Sequence, residues 1–242
     1  MEITVVLAYF PLSQFFLEKV VCNQLMEYPQ QDDTLCPDQY GFQLHSQTTH
    51  ALHKLLNIIS ENAINNHVTV VTFLDLSKAF DCLQYDKLFF KLDKLGFSEH
   101  TLKWLKSFLS NRTQVVNLNG TVPHQLDMSL GVPQGSILGP ILFLLYVNDI
   151  NNCDTSAKFV KFANDTTVIT TAPTLQEASW KMNVTMDKVF KWFQSNKLNL
   201  NPSKTRYMNF NCKGNTEINH VHINGVNIER EFVNKARKNN LS

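Results

Sequence analysis

Apolar residues recur at helical spacing early in the chain and then close up into an unbroken run. From residue 48 to about 63, Leu52, Leu55, Leu56 and Ile59 fall on one face, the pattern of an amphipathic helix. Residues 68–74 read VTVVTFL, a β-branched and nearly all-apolar run that suits a strand buried inside a sheet. It ends in Asp75. Residues 86–95 predict a short helix stopped by Gly96. Ser98 is placed to cap the next helix, in which Leu102, Leu105, Phe108 and Leu109 share a face. Residues 113–118 predict a strand entering a turn at Asn119-Gly120. The GVPQG segment at 131–135 predicts a loop, and residues 136 to about 148 a helix despite Gly139-Pro140 near its start. Residues 158–163 and 166–171 predict two short strands around Asn164-Asp165, a tight hairpin with a carboxylate at its tip. A long amphipathic helix over 175 to about 196, a strand over 205–210 and a turn at Asn224-Gly225 complete the pattern. Strand pairs joined by hairpins, mixed with helices and not strictly alternating with them, predict an α+β sheet with helices on one side.

Composition narrows the class. The chain has 242 residues, 43% hydrophobic and 18% charged, which suits a globular core and excludes wholesale disorder. Cys22, Cys36, Cys82, Cys153 and Cys212 are scattered and form no CxxC pair, as expected in a reducing compartment and not in a disulfide framework or zinc site. The apolar opening, residues 1–16, lacks the basic flank of a signal peptide. The longest apolar run, 137–147, is too short to span a bilayer. Asn-x-Thr triplets at Asn111, Asn119, Asn164 and Asn183 would matter only in a secreted protein. The expectation is an intracellular protein of nucleus or cytoplasm, with no membrane association and no inferable protein partner.

Charge is uneven, although it nets to +1. Residues 1–60 carry six acids against Lys19 and Lys54, and the first arginine is Arg112. From residue 200 onward seven basic side chains face Glu217, Glu229 and Glu231. A grip on phosphate is therefore expected toward the back of the chain.

Two aspartates stand out by position. Asp75 ends a buried strand, and Asp165 sits in a hairpin ninety residues later. Carboxylates at neighbouring strand ends can hold divalent metals against a triphosphate, with two ions about 3.5–4 Å apart stabilising both oxygens of an in-line phosphoryl transfer. Taken singly, each is an ordinary loop acid or helix cap.

The surrounding words decide between these readings. Phe73-Leu74-Asp75-Leu76-Ser77-Lys78-Ala79-Phe80-Asp81 resembles the first palm motif of LINE-type (non-LTR) reverse transcriptases. Gly131-Val132-Pro133-Gln134-Gly135-Ser136-Ile137-Leu138-Gly139-Pro140 looks like their second motif, and Phe162-Ala163-Asn164-Asp165 is similar to their F/Y-A-D-D box. The NLNPSK segment at 199–204 resembles the stretch after the palm's long helix, and Tyr40-Gly41-Phe42 with Thr48-Thr49-His50-Ala51-Leu52 the fingers region. Order and spacing agree over residues 17–226.

The resemblance implies a polymerase palm with partial fingers at 1–66, the palm at 67–211, and a terminal hairpin and basic tail at 212–242 where a thumb would begin but is missing. It implies an RNA-directed DNA polymerase taking an RNA template, a DNA primer and deoxynucleoside triphosphates, with two Mg²⁺ ions. Asp75 and Asp165 would be metal ligands with the Leu76 carbonyl assisting. Phe80 would lie under the incoming sugar and disfavour a 2′-hydroxyl. Gln134 and Gly135 would let the backbone and amide approach template and nucleotide. Lys204 would neutralise or protonate the leaving pyrophosphate.

Two departures bear on activity. Asn164 stands where the family has the first aspartate of its box, and an amide supplies a neutral oxygen but not the charge a bridging ligand needs. Gln43 follows Gly41-Phe42 where the family usually has arginine, the natural bidentate partner of a triphosphate. The sequence therefore leaves two readings open: a polymerase impaired at Asn164, or a catalytically inactive transposon-derived relic with weak nucleic-acid binding. A metal-dependent nuclease ranks below both for want of a third acid and a placeable general base.

Overall fold

A strand that is apolar at both odd and even positions has no face to give to water, so it must lie between two layers. The strand Val68–Leu74 does so. In the computed structural model, which describes residues 4–5, 12–31, 35–43, 46–114, 116–117, 126–212 and 220–231, it is the middle of a five-stranded sheet. The order across the sheet is Glu229–Arg230, Arg206–Phe210, Val68–Leu74, Asp165–Ala172, Lys158–Phe162. All neighbours are antiparallel except the first pair, which is parallel.

Each face carries one helix. Odd-numbered residues of the central strand meet the helix Thr48–Ile64: Ala51, Ile58, Val71, Val160 and Ile169 form one buried cluster, bordered by Leu55, Ile59 and Phe73. Asn62 ties that helix across two strands, its Nδ2 donating to Thr69 Oγ1 (3.1 Å) and Thr171 Oγ1 (2.8 Å). The even face meets the helix Leu175–Ser195, where Ala178, Met182, Met186, Val189 and Phe193 follow one another at three- and four-residue steps and are all buried. There Thr170 Oγ1 donates to the Ala178 carbonyl (3.0 Å). The α+β palm class stands, with one difference from the expected layering: helices cover both sides of the sheet, because VTVVTFL leaves neither side polar.

The chain divides into two compact units, and the sheet with these two helices belongs to the unit formed by Cys36–Ser77 and Asp149–Ser242. The other unit, Met1–Leu35 with Lys78–Asn148, is built on the helix Leu138–Tyr146. Nearly every residue of that helix is buried, and it packs against the helices Leu12–Gln31 and Tyr85–Lys94. Both of its ends are satisfied by side chains, as buried helix ends require. Glu18 Oε2 accepts from the Ile137 amide (2.9 Å), and Lys91 Nζ donates to the Tyr146 carbonyl (2.7 Å).

Smaller differences from the sequence pattern have local causes. The helix expected over 136–148 is Leu138–Tyr146, continued by a 3₁₀ segment Asn148–Cys153. Hydrophobic periodicity does not predict the helix Leu12–Gln31, because Phe15, Phe16, Leu17 and Val20 are exposed while the acid Glu18 is buried. Ser98 caps as expected, accepting from the Thr101 amide (3.2 Å), and Asn224 and Gly225 both take positive φ in the last turn. The Asn119-Gly120 turn and the basic residues at 235–238 lie outside the described residues.

The two-faced burial sets a clear expectation. Ile58→Ala, which empties a site 3% exposed in the cluster under the sheet, should lower unfolding free energy by about 2–5 kcal/mol. Leu56→Ala, two residues away and half exposed, should stay within about 0.5 kcal/mol of the parent. Urea unfolding of the two variants checks this, and equal losses would show that the helix does not seal that face.

Candidate active site

The register of the sheet builds the site. Val68 to Leu74 pair with Ala172 back to Thr166, and one residue beyond that last pair stand Asp75 on one strand and Asp165 on the other, near enough for the charge of Asp75 to act on Asp165. Asp165 is also the first residue of its own strand, paired with Phe162. The hairpin turn is therefore Ala163-Asn164, and the carboxylate expected at the tip is instead anchored at the strand end beside it. Ala163 adopts φ 57, a left-handed conformation that a side chain enters only when its surroundings hold it there.

Asp75 is fixed by its backbone. Its amide donates to Thr205 Oγ1 (3.4 Å) and its carbonyl accepts from the Asn201 amide (2.8 Å). Thr205 is fully buried and returns both its amide and its hydroxyl to the Asn201 carbonyl (3.0 and 2.8 Å). The 201–205 loop is thus a staple closed on the strand end, and it carries Lys204, whose side chain is exposed. Leu76 follows directly, pairing with Leu200 in a two-residue ladder and buried at 8% exposure. So Asp75, Leu76, Asn164, Asp165 and the loop bearing Lys204 all belong to one unit.

Phe80, Gln134 and Gly135 lie in the other unit. There the GVPQG loop is bonded to the 3₁₀ turn Ala79–Asp81 and its exit: the Val132 amide donates to the Phe80 carbonyl (3.0 Å) and the Gly131 amide to Leu83 (2.8 Å). Gly131 has φ 77, and a Cβ there would meet the Asp81 and Phe80 backbone at 2.9 Å, so no other residue fits. Gln134 is exposed, its Nε2 donating to Asp81 Oδ1 (3.3 Å), and Gly135 stands in open space. The Phe80 ring rests on Phe143 with centroids 4.8 Å apart.

Electrostatics single out the aspartates. Burial pushes the Asp165 carboxyl above the usual aspartate range, and the charge of Asp75 pushes it further the same way. Asn164 Nδ2 donates to Asp165 Oδ1 (3.4 Å), so the amide partly quiets the neighbouring charge and occupies one of its lone pairs. Among the described residues no three His, Cys, Asp or Glu side chains gather into a metal-holding group. Two hard carboxylates whose charges oppose each other suit one divalent cation; for two, the donor set lacks a third acid.

Sequence patterns alone did not find Gln39, Asn201 and Thr205, which hold the two aspartate-bearing segments. Gln39 stands directly before Tyr40-Gly41-Phe42, and Asn201 lies inside NLNPSK, so each adjoins a motif without being a residue type that announces chemistry.

A mixed α+β architecture on an antiparallel-dominated sheet of this order is of the polymerase palm type. The sequence profile of the family described as reverse transcriptase (RNA-dependent DNA polymerase) matches residues 16–229, and the chain belongs to that family as a LINE-type reverse transcriptase domain. It is 27% identical over 201 residues to the RNA-directed DNA polymerase from mobile element jockey of Drosophila melanogaster, covering 80% of this chain and 22% of that protein. A probable RNA-directed DNA polymerase from transposon BS, also of D. melanogaster, is 26% identical over 78% of this chain and 21% of its own length. The chain thus spans about a fifth of the curated relatives it matches. Among solved structures it is similar in fold to apo telomerase from Candida tropicalis (TM-score 0.58, 14% identity, 88% of this chain and 43% of that one). Telomerase from Candida albicans in complex with a fragment of telomeric RNA is comparable (TM-score 0.59, 13% identity, 88% and 37%).

The raised carboxyl predicts a pH-dependent stability. Because folded Asp165 binds its proton more tightly than the unfolded chain does, its contribution is most favourable below the ordinary value of 3.8 and is lost as pH rises through the raised one. Asp165→Asn should therefore melt at a higher temperature than the parent at pH 7, the gap closing below that value. Thermal melts across pH read this, and a lower melting point for the variant at pH 7 would show that the ionised pair carries no repulsion.

Proposed function

We propose that this domain is the palm of an RNA-directed DNA polymerase that extends a DNA primer on an RNA template with deoxynucleoside triphosphates. In this reading it is built for two-metal nucleotidyl transfer and impaired at Asn164. The observation that carries the reading is the proximity of Asp75 and Asp165, each one step beyond the last pair of two neighbouring strands, with an amide in the turn where the family has an acid.

Asp75 and Asp165 would hold magnesium, with the Leu76 carbonyl as a further oxygen donor. When bound, the ions supply the positive charge that phosphoryl transfer needs on its non-bridging oxygens. The remaining work belongs to the chain. Phe80 presents a ring to the sugar and disfavours a 2′-hydroxyl by steric conflict. Gln134 and Gly135 offer an amide and an unobstructed backbone to the template and nucleotide. Lys204, exposed on a stapled loop, meets the leaving pyrophosphate as a counter-charge and proton donor. Residues 1–66 act as the fingers side, 67–211 as the palm, and 212–242 as the hairpin and basic stretch leading toward a thumb. An RNA template is supported by the fold shared with telomerase, one relative of which is solved with telomeric RNA. Among the described residues no helix is long and apolar enough to cross a membrane.

Asn164 supports a second reading, a catalytically inactive transposon-derived relic that binds nucleic acid weakly. An amide in place of an acid would leave less negative charge in the corner that would hold the metal, and its hydrogen bond draws on Asp165 as well.

Primer extension on an RNA template with Mg²⁺ or Mn²⁺ separates the two. Asn164→Asp should raise extension by at least about 100-fold over the parent, and adding Asp75→Asn to it should abolish the gain. Robust extension by the parent would retire the impairment. Silence from folded Asn164→Asp would favour the relic.

A further inference from the structure

The turn that carries Asn164 and Asp165 is held from outside the hairpin. Gln39, 3% exposed, points its carboxamide into the turn backbone. Its Oε1 accepts from the Ala163 amide (3.1 Å) and from the Gly41 amide (2.8 Å), and its Nε2 lies 3.5 Å from the Ala163 carbonyl. The flanking backbone follows the Lys158–Phe162 strand: the Lys161 amide donates to the Asp38 carbonyl and the Tyr40 amide to the Lys161 carbonyl, both at 2.8 Å. Gly41 comes so close that a Cβ on it would lie 2.0 Å from the Ala163 nitrogen. Three features therefore converge on one peptide: a buried amide side chain, a short added ladder and a residue with no room for a side chain.

We infer that Gln39 is the positioning residue for the Asp165 carboxylate, holding Ala163 in its left-handed conformation and so fixing the direction in which the strand beginning at Asp165 presents its acid. A two-residue turn whose first residue is Ala at φ 57 is not self-supporting, since glycine is the residue that enters that region freely. Gln39 satisfies the Ala163 amide, and leaving that part-buried amide unpaired would oppose the conformation. Gly41 closes the space behind it. The Tyr40-Gly41-Phe42 segment of the fingers side thus acts on the metal-binding corner through the backbone, without supplying a ligand. The catalytic consequence rests on the polymerase reading; the clamp itself does not.

The test uses the full chain, with and without Asn164→Asp. Gln39→Met keeps length and loses both polar atoms, while Gln39→Glu keeps an oxygen that accepts from both amides. Amide hydrogen exchange is read at the turn (159–167) and in the central strand (68–74), and Mn²⁺ binding by electron paramagnetic resonance. Gln39→Met should speed exchange at the turn at least tenfold with the central strand unchanged, and weaken Mn²⁺ binding about tenfold. Gln39→Glu should restore both toward the parent. Unchanged exchange at the turn in Gln39→Met, or equal acceleration in the central strand, overturns the proposal, as does failure of Gln39→Glu to rescue. Absence of Mn²⁺ binding in every form, Asn164→Asp included, would count against the polymerase reading, and the exchange data would still decide the clamp.

Discussion

The antiparallel pairing of Val68–Leu74 with Thr166–Ala172 is the constraint on which the rest depends. A slip of one residue would exchange the two faces of each strand, turning Thr69, Val71 and Phe73 toward the wrong helix and moving Asp165 out of line with Asp75. Several independent contacts oppose that slip. Apolar side chains fill both faces, Asn62 bridges Thr69 and Thr171 on one of them, and Thr170 is bonded to the Ala178 carbonyl on the other. The proximity of the two acids thus follows from core packing along the strands that precede them.

The strand ends have been treated differently from the strand middles. Along the strands apolar side chains alternate with threonines bonded to the covering helices, whereas at the ends the backbone itself is held by polar side chains from distant segments. Thr205 and Asn201 hold the backbone of Asp75, and Gln39 holds the turn before Asp165. Such contacts hold two like charges near each other, and burial together with the charge of Asp75 pushes the Asp165 carboxyl up. Asn164 in the turn donates its Nδ2 to Asp165 Oδ1, so the fold accommodates an amide beside that carboxyl.

The second unit applies the same principle to a loop. GVPQG is bonded by its backbone to residues 80–83, with Gly131 pressed where no side chain fits, while Gln134 and Gly135 stay exposed. Anchored at one end and open at the other, the loop presents two adaptable residues from a rigid base, and the buried helix Leu138–Tyr146 follows immediately.

Local pattern alone determined the main elements: the buried strand, the capped and amphipathic helices, the hairpin near Asp165 and the last turn are all written in residue spacing and turn chemistry that act over a few positions. The motif words also pointed to Asp75, Asn164 and Asp165, which the fold places in one unit at neighbouring strand ends. Pattern did not determine the second helical layer on the sheet, since periodicity tells that a run is buried but not what covers it. It placed the turn one residue late, because whether Asn164 or Asp165 leaves the ladder depends on pairing with Phe162. It missed the helix Leu12–Gln31, which buries an acid accepting from a helix end more than a hundred residues away while several of its apolar residues stay exposed. The roles of Gln39, Asn201 and Thr205 were beyond it for the same reason. A neutral side chain becomes a structural clamp only when the fold brings a particular backbone amide or carbonyl to it, and that meeting is decided by tertiary structure.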